Sequence, residues 1–96
     1  MARLAWAPDA ASSLERLHDF LAEKSPEAAA RAAQAIHKGA VALSSHPEIG
    51  RLFDDTTPGL REWIIPFGNR AYVLLYEFDG VQVTVLAIRH GREAGY

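Results

Sequence analysis

Four arginines and their neighbours in the C-terminal part of the chain are the residues best suited to do chemistry. The group comprises Arg61, Arg70, Arg89, Arg92, Glu62, His90 and Tyr96. Guanidinium groups bind phosphate through parallel hydrogen bonds, and an imidazole or a phenol can transfer protons during phosphodiester cleavage. This set therefore fits a cationic pocket that holds a phosphodiester. The alternative, which the residue types alone favour, is that the arginines form ion pairs with Glu62, Glu77 and Glu93 on a solvated face.

The other reactive residue types do not form a recognisable site. An imidazole titrates near neutral pH, so His90 suits a general base, whereas His18, His37 and His46 fall on predicted helices or at a helix end and are expected at the surface. No pair of His, Asp or Glu has the spacing of a metal site, and the chain has no cysteine. We therefore expect no metal and no disulfide. The seven glycines are scattered singly, so no nucleotide cofactor is expected.

Two tryptophans, Trp6 and Trp63, fall on predicted strands. Tryptophan is highly buried on average, which favours a place in the core for both. Tryptophan is also over-represented in the hot spots of interfaces, so one of the two could instead line an apolar groove for a partner peptide.

Length and composition limit the class of protein. The chain has 96 residues, of which 49% are hydrophobic and 23% charged, so we expect one globular domain spanning residues 1–96. The formal net charge is −2, which disfavours a general high-affinity nucleic-acid binder because such binding depends on clustered cations. The N-terminus does not resemble a secretory signal, and no segment has the roughly 20 apolar residues of a membrane span. We expect a soluble, cytoplasmic protein.

The elements that must position these residues can be predicted from periodicity. Residues 4–7 form a short apolar strand, and from Pro8 the apolar spacing becomes that of an amphipathic helix. Ser25-Pro26-Glu27 predicts the start of a second helix, with a capping serine, a proline in the first turn and an acid beside it. This helix should end by Ser45, ahead of Pro47, and a link of only a few residues makes the two helices antiparallel neighbours.

The C-terminal half has the alternation of β-strands. Residues 47–59 are rich in turn formers and predict a loop, after which strands are expected at 60–66, 70–78 and 81–89. Asp79-Gly80 predicts a tight hairpin between the last two strands. The middle strand is apolar on both faces, so we expect it to be central, with the helices on one face and a partner on the other. The order β-α-α-β-β-β predicts an α+β fold in which a helical hairpin packs on one antiparallel sheet with a C-terminal three-stranded meander.

The order of elements and several short motifs together resemble the ParE/RelE superfamily of toxins from bacterial type II toxin–antitoxin modules, also called plasmid stabilisation proteins. The motifs are Pro8-Asp9-Ala10, Ser25-Pro26-Glu27-Ala28-Ala29-Ala30, Leu43-Ser44-Ser45-His46-Pro47-Glu48-Ile49-Gly50-Arg51, Gly59-Leu60-Arg61-Glu62, Tyr72-Val73-Leu74-Leu75-Tyr76 and Val85-Leu86-Ala87-Ile88-Arg89-His90-Gly91-Arg92. The resemblance covers nearly the whole chain. It implies a growth-inhibiting toxin that a cognate antitoxin holds inactive.

The resemblance also implies the partners. The antitoxin places a helix or strand of its C-terminal segment in the groove between the helical hairpin and the sheet, and operator DNA is bound only through the antitoxin. We expect Trp63, Arg89 and Arg92 to contact the target or the partner. No cofactor, metal or membrane is implied.

Members of the superfamily act by two mechanisms. RelE-like members are metal-independent endoribonucleases that cleave mRNA in the ribosome, and by motif position Arg61, Arg70, His90 and Tyr96 would then be catalytic. ParE-like members inhibit DNA gyrase and are not known as nucleases. The acidic balance and the lack of lysines on the predicted strands favour the ParE-like branch. A third alternative is an inactive member that only binds an antitoxin.

Overall fold

A computed structural model describes residues 1–68 and 70–90 of the chain. Its elements are β1 (Arg3–Trp6), α1 (Pro8–Lys24), α2 (Pro26–Ser45), β2 (Arg51–Leu52), β3 (Leu60–Phe67), β4 (Arg70–Phe78) and β5 (Gln82–His90). This arrangement confirms the predicted α+β fold, in which two helices are followed by an antiparallel meander.

The helices begin where the local sequence indicates. Pro8 and Pro26 occupy the first helical positions, where a missing N–H costs nothing. The Ser25 hydroxyl accepts a hydrogen bond of 3.2 Å from the Ala28 N–H and so caps α2. Three of the six buried residues of α2 are alanines, and these small side chains let α1 and the sheet approach closely.

The five strands form one sheet in the order β1-β5-β4-β3-β2. The pairs β2–β3, β3–β4 and β4–β5 are antiparallel, whereas β1 joins the sheet parallel to β5. The sequence did not indicate this parallel edge, because a pairing between the two ends of a chain leaves no local signal. Asp79-Gly80 forms the predicted turn, with Gly80 at φ +99°.

Strand β2 lies inside the segment that the sequence predicts as a loop. Strand β2 has two residues. Arg51 pairs with Glu62 and Leu52 with Arg61, and both β2 residues are exposed. A strand this short has no alternation to recognise, since its pairing depends on contacts with β3 alone.

The core lies between the helices and one face of the sheet. Ile36 and Leu43 of α2 pack there with Tyr76, Val83 and Val85 of the sheet, and none of these five residues exposes any surface. Strand β4 is central, as its two-sided apolar pattern predicts, and Val73 on the face away from the helices is also only 3% exposed.

Candidate functional site

Arg61 is engaged in holding the turn that follows α2. Its guanidinium donates hydrogen bonds to the carbonyl oxygens of Glu48, at 3.1 Å, and of Gly50, at 2.7 Å. The Glu48 carboxylate lies 3.8 Å from the same guanidinium. Two backbone acceptors and one carboxylate therefore surround Arg61, which stabilises residues 48–50 against the start of β3.

Tyr76 anchors the same turn from within the core. Its hydroxyl donates to the Pro47 carbonyl oxygen at 2.7 Å and accepts from the Gly50 N–H at 3.0 Å. A side chain at position 50 would place its Cβ 2.6 Å from both the Tyr76 hydroxyl and the Glu62 carbonyl oxygen. The glycine in the Pro-Glu-Ile-Gly-Arg motif is thus explained by a close approach of the backbone to a buried phenol.

A second charged cluster lies on the face of the sheet away from the helices. The Glu62 carboxylate receives a hydrogen bond of 3.1 Å from Arg51 Nε and lies 3.6 Å from Arg89 Nη2. Glu62 and Arg89 are largely buried, whereas the Arg51 side chain is 59% exposed. Among the described residues, Arg51 and Arg89 thus share the Glu62 carboxylate. Arg89, expected to contact a target or a partner, thus forms an ion pair with Glu62.

Arg70 and His90 lie near the same end of the sheet. His90 pairs with Tyr72 across β4 and β5, and their rings meet edge to face with centroids 5.8 Å apart. Arg70 is exposed and precedes Tyr72 by two positions, so both side chains belong to the same face of β4.

Arg61 lies far from this pair. In the register of β3 and β4, Arg61 is opposite Tyr76 and Phe67 is opposite Arg70. Six positions along a strand correspond to about 20 Å. The described structure therefore places Arg70 and His90 near one end of the sheet and Arg61 near the other. Arg92 and Tyr96, also expected from the sequence to take part, lie outside the described residues.

A cavity of about 230 Å³ opens between α1 and the end of β5. It is lined by Ser13, Arg16, Leu17, Tyr72, Ile88, Arg89 and His90. The sequence singled out His90 and Arg89 here but not Ser13, Arg16 or Tyr72. The three-residue spacing of Ser13 and Arg16 places both on one face of a helix, but nothing local shows which face meets the sheet.

An apolar groove of about 310 Å³ separates α2 from the edge of β3. Its lining comprises Ala35, Lys38, Gly39, Ala42, Trp63, Ile64, Ile65 and Pro66. Trp63 is half-buried, since it packs against the core and also lines the groove. Strand β2 and the following Phe53 border β3 at Leu60, Arg61 and Glu62. Within the described residues, β3 therefore has an open edge beside the groove, and Pro66 lies there, where a missing N–H is tolerated.

Two further properties concern the described part of the chain as a whole. Within residues 1–68 and 70–90, no three His, Cys, Asp or Glu side chains come together as ligands for a metal ion. Neither described helix combines the length and apolar character needed to cross a membrane.

Comparisons with known proteins agree on one family. The model of the ParE toxin of type II toxin–antitoxin systems (parDE) matches residues 4–95. Toxin RelE1 of Caulobacter vibrioides is 41% identical over 78 residues, which is 81% of each chain. Toxin RelE2 of the same organism is 36% identical over 92 residues, covering 94% of this chain and 96% of the relative.

A solved structure has the same fold. The structure described as the chromosomal ParDE TA system from P. aeruginosa matches with a TM-score of 0.71, covering 94% of this chain and 96% of that chain at 23% identity. The match of the family model over nearly the whole chain and the identity to curated toxins agree with the resemblance found in the sequence motifs. The chain belongs to the ParE toxin family, and is the toxin of a type II toxin–antitoxin system with a cognate antitoxin as its partner.

Proposed function

We propose that this toxin acts by inhibiting DNA gyrase rather than by cleaving RNA. The observation that carries the proposal is the position of Arg61, whose guanidinium is already bound to the carbonyl oxygens of Glu48 and Gly50. Measured along the strand direction, Arg61 on β3 lies about 20 Å from Arg70 on β4. A phosphate held between Arg61 and Arg70 would therefore need both a large movement and the loss of the contacts that fix the turn.

The charge of the chain supports the same choice. Its formal net charge is −2, and its only lysines are Lys24 and Lys38, both on helices. A protein that engages the ribosome must approach a dense array of phosphates, and such binding depends on clustered cations. Binding to a protein target such as gyrase does not require clustered cations.

Ribosome-dependent RNA cleavage is the second candidate. Arg70 and His90 lie near the same end of the sheet with Tyr72 beside them, and a histidine next to an arginine can support phosphodiester chemistry. The relatives named Toxin RelE1 and Toxin RelE2 also carry the name of that branch. This candidate places Arg61, Arg70, His90 and Tyr96 in catalytic roles.

We further propose that the groove between α2 and β3 receives the antitoxin. Its lining is apolar apart from Lys38, and the open edge of β3 offers backbone groups to an added strand. Strand addition takes affinity from main-chain hydrogen bonds and specificity from side-chain pockets. An antitoxin segment with apolar side chains toward Trp63 and an acid near Lys38 matches this groove.

The experiment that tests the mechanism uses purified toxin and two readouts in parallel. The first is supercoiling of relaxed plasmid by gyrase, with cleaved plasmid scored after denaturation. The second is the integrity of an mRNA under active translation. The proposal predicts loss of supercoiling at micromolar toxin, with cleaved DNA and intact mRNA, and reversal when the cognate antitoxin is added in equal amount.

Two outcomes would overturn the gyrase mechanism. If supercoiling is unaffected while translated mRNA is cut, the toxin is a nuclease and Arg70 and His90 become candidates for catalysis. If neither readout changes although the toxin binds its antitoxin, the chain is an inactive family member. Matched circular dichroism spectra of the toxin before and after the assay exclude loss of folded protein as the cause.

A further inference from the structure

Three shallow depressions meet at the end of the molecule where α2 ends and the β4–β5 hairpin turns. Their volumes are about 350, 330 and 440 Å³. The first shares Glu48 with the second and Pro47 with the third, and the second and third share Phe78 and Gly80. The depressions therefore form one continuous surface. We call it the turn surface, and its residues are Pro47, Glu48, Ile49, Phe78, Gly80 and Val81.

Large apolar side chains are exposed on the turn surface. Val81 is 64% exposed and Ile49 is 48% exposed, and each lines a depression together with Pro47. Leu52 in the adjoining strand β2 and Phe53 directly after it are exposed as well. Apolar residues scattered singly over a surface are ordinary, whereas a cluster of them around depressions is typical of a site that another protein covers. The cluster therefore indicates a docking surface for a protein.

The two turns that build this surface are held in place by hydrogen bonds. The Tyr76 hydroxyl and the Arg61 guanidinium fix the turn at 47–50. The Asp79 carboxylate accepts hydrogen bonds from the N–H groups of Val81 and Gln82, which fixes the β4–β5 turn. Segments that are ordered before binding lose less conformational entropy when a partner docks. The contacts that stabilise the turns thus also prepare the surface for binding.

Acidic residues surround the apolar side chains. Residues 46–62 and 77–82, which build this end of the molecule, contain six of the twelve Asp and Glu residues of the chain but only two of its ten Lys and Arg residues. These two are Arg51 and Arg61, and both form ion pairs with glutamates of the same segments. Arg3 of β1 adds one cation at the border. The turn surface is therefore apolar at its centre and mainly negative around it.

We propose, on the basis of the gyrase mechanism proposed above, that the turn surface binds gyrase at a segment that carries an apolar side chain beside lysines or arginines. An enzyme that holds DNA must display clustered cations toward it, because binding to DNA depends on them. A negative surface with an apolar centre is complementary to such a region. The same negative charge repels phosphates, so the turn surface suits a protein partner and not RNA.

The position of the turn surface fits neutralisation by the antitoxin. The apolar groove between α2 and β3 extends to Ala42, and His46 of the first depression follows one helical turn later, about 6 Å along the helix axis. The groove and the turn surface have no lining residue in common. An antitoxin in the groove would nevertheless stand in the way of a protein as large as gyrase.

The test compares purified variants of the toxin as inhibitors of supercoiling by gyrase. Val81→Lys removes an apolar contact and places a cation against a cationic partner, so it should raise the toxin concentration needed for half inhibition by about tenfold or more. Phe20→Lys makes a similar change at a 57% exposed apolar position on α1, outside the turn surface. This control should stay within about twofold of the natural protein, since neither partner contact nor core packing is lost.

A second pair of variants tests the charge. Glu77 is exposed and lies beside Gly59, which lines the second depression. Glu77→Lys should weaken inhibition by about three- to tenfold because it reverses a charge that faces the partner. Glu15→Lys changes the net charge of the protein equally at an exposed position on α1 and should have an effect within about twofold.

The outcomes separate the surface from the mechanism. If the natural toxin inhibits gyrase and Val81→Lys inhibits it as strongly as Phe20→Lys does, the turn surface is not the binding site, although the gyrase mechanism stands. If the natural toxin leaves supercoiling unchanged, the mechanism and the surface are both overturned. Calorimetric titration of each variant with the cognate antitoxin shows that it is folded, so a loss of inhibition cannot be assigned to unfolding.

Discussion

Tyr72 and Tyr76 lie four residues apart on the same face of β4, and both are buried. Their hydroxyls nevertheless have different environments. The Tyr76 hydroxyl joins Pro47 to Gly50, whereas Tyr72 lines the cavity between α1 and β5 and its ring packs between Phe67 and His90. Two chemically identical side chains in the Tyr-x-x-x-Tyr motif thus have different contacts, and only the Tyr76 hydroxyl holds the turn at 47–50.

We predict that Tyr76→Phe lowers the free energy of unfolding by about 1–3 kcal/mol, because it leaves a buried N–H and a carbonyl oxygen without their partner. Tyr72→Phe should change that free energy by no more than about 0.5 kcal/mol, since the Tyr72 hydroxyl makes no hydrogen bond to the described residues. Urea denaturation of the two variants measures the difference. Equal losses for both would show that the turn at 47–50 does not depend on the Tyr76 hydroxyl.

At the scale of the secondary-structure elements, the contact between α2 and β3 sets the depth of the apolar groove between them. A Cβ on Gly39 would lie 2.7 Å from Ile65 Cγ1 and closer still to Ile65 Cδ1. Glycine in the middle of a helix is otherwise unfavourable by about 1 kcal/mol relative to alanine. The absence of a side chain at position 39 therefore lets α2 lie directly on the strand.

Gly39→Ala should accordingly destabilise the protein by about 1–2 kcal/mol, because the clash outweighs the gain in helix propensity. Ile65→Val removes the Cδ1 methyl, so the double variant should recover part of the loss. A double-mutant cycle by chemical denaturation should give a coupling energy of about 1 kcal/mol. Additive effects would contradict direct contact between the two residues.

The β4–β5 hairpin depends on a carboxylate. Asp79 accepts hydrogen bonds from the N–H groups of Gln82, at 2.7 Å, and Val81, at 2.9 Å. These two bonds, the one from Gln82 first, lower the pKa of the Asp79 carboxyl below its ordinary value of 3.8. The unfolded chain therefore binds this proton more readily than the folded chain does.

It follows that the stabilisation from Asp79 is complete above the ordinary pKa and is lost as the pH falls through the lower pKa of the folded state. Asp79→Asn cannot titrate at this position. We expect the stability difference between the natural protein and this variant to shrink as the pH is lowered from 5 to 2, measured by thermal melting. A difference that stays constant over this range would contradict the assignment.

The elements that the sequence predicted correctly are those with local signals. Ser25-Pro26 caps a helix, and Asp79-Gly80 turns a hairpin, through contacts within three residues. The parallel β1–β5 edge and the two-residue β2 depend on pairings between distant segments, which leave no periodicity. The same limit applies to the site. Arg61 could be recognised as important from its motif, but its bonds to Glu48 and Gly50 depend on the path of a turn.

At the scale of the whole molecule, the β3 edge of the sheet offers a surface to which another chain can bind. The open edge of β3 borders an apolar groove, and Ile64 in that edge is 43% exposed. A large exposed apolar side chain beside unpaired backbone groups promotes the addition of another chain. This exposed apolar surface is the one that we propose the antitoxin covers.

Ile64→Lys should therefore weaken binding of the cognate antitoxin by about tenfold or more, which corresponds to the loss of an interface hot spot. The melting temperature should hardly change because Ile64 is already partly exposed. Val81→Lys, at a 64% exposed apolar position in the β4–β5 turn, is the matched control and should keep the affinity. Isothermal titration calorimetry measures both variants. Equal loss for both would exclude the groove as the antitoxin site.

The pairing of β1 with β5 has a consequence for the order in which the toxin is made. Arg3 pairs with Gln82 and Trp6 with Val85, so the first strand to be synthesised waits for the last one. Contacts between such distant segments are formed late because a large loop must close first. The sheet can be completed only after β5 has left the ribosome. A nascent chain in which β5 is still inside the ribosome is therefore not yet an assembled toxin, however complete its helices are.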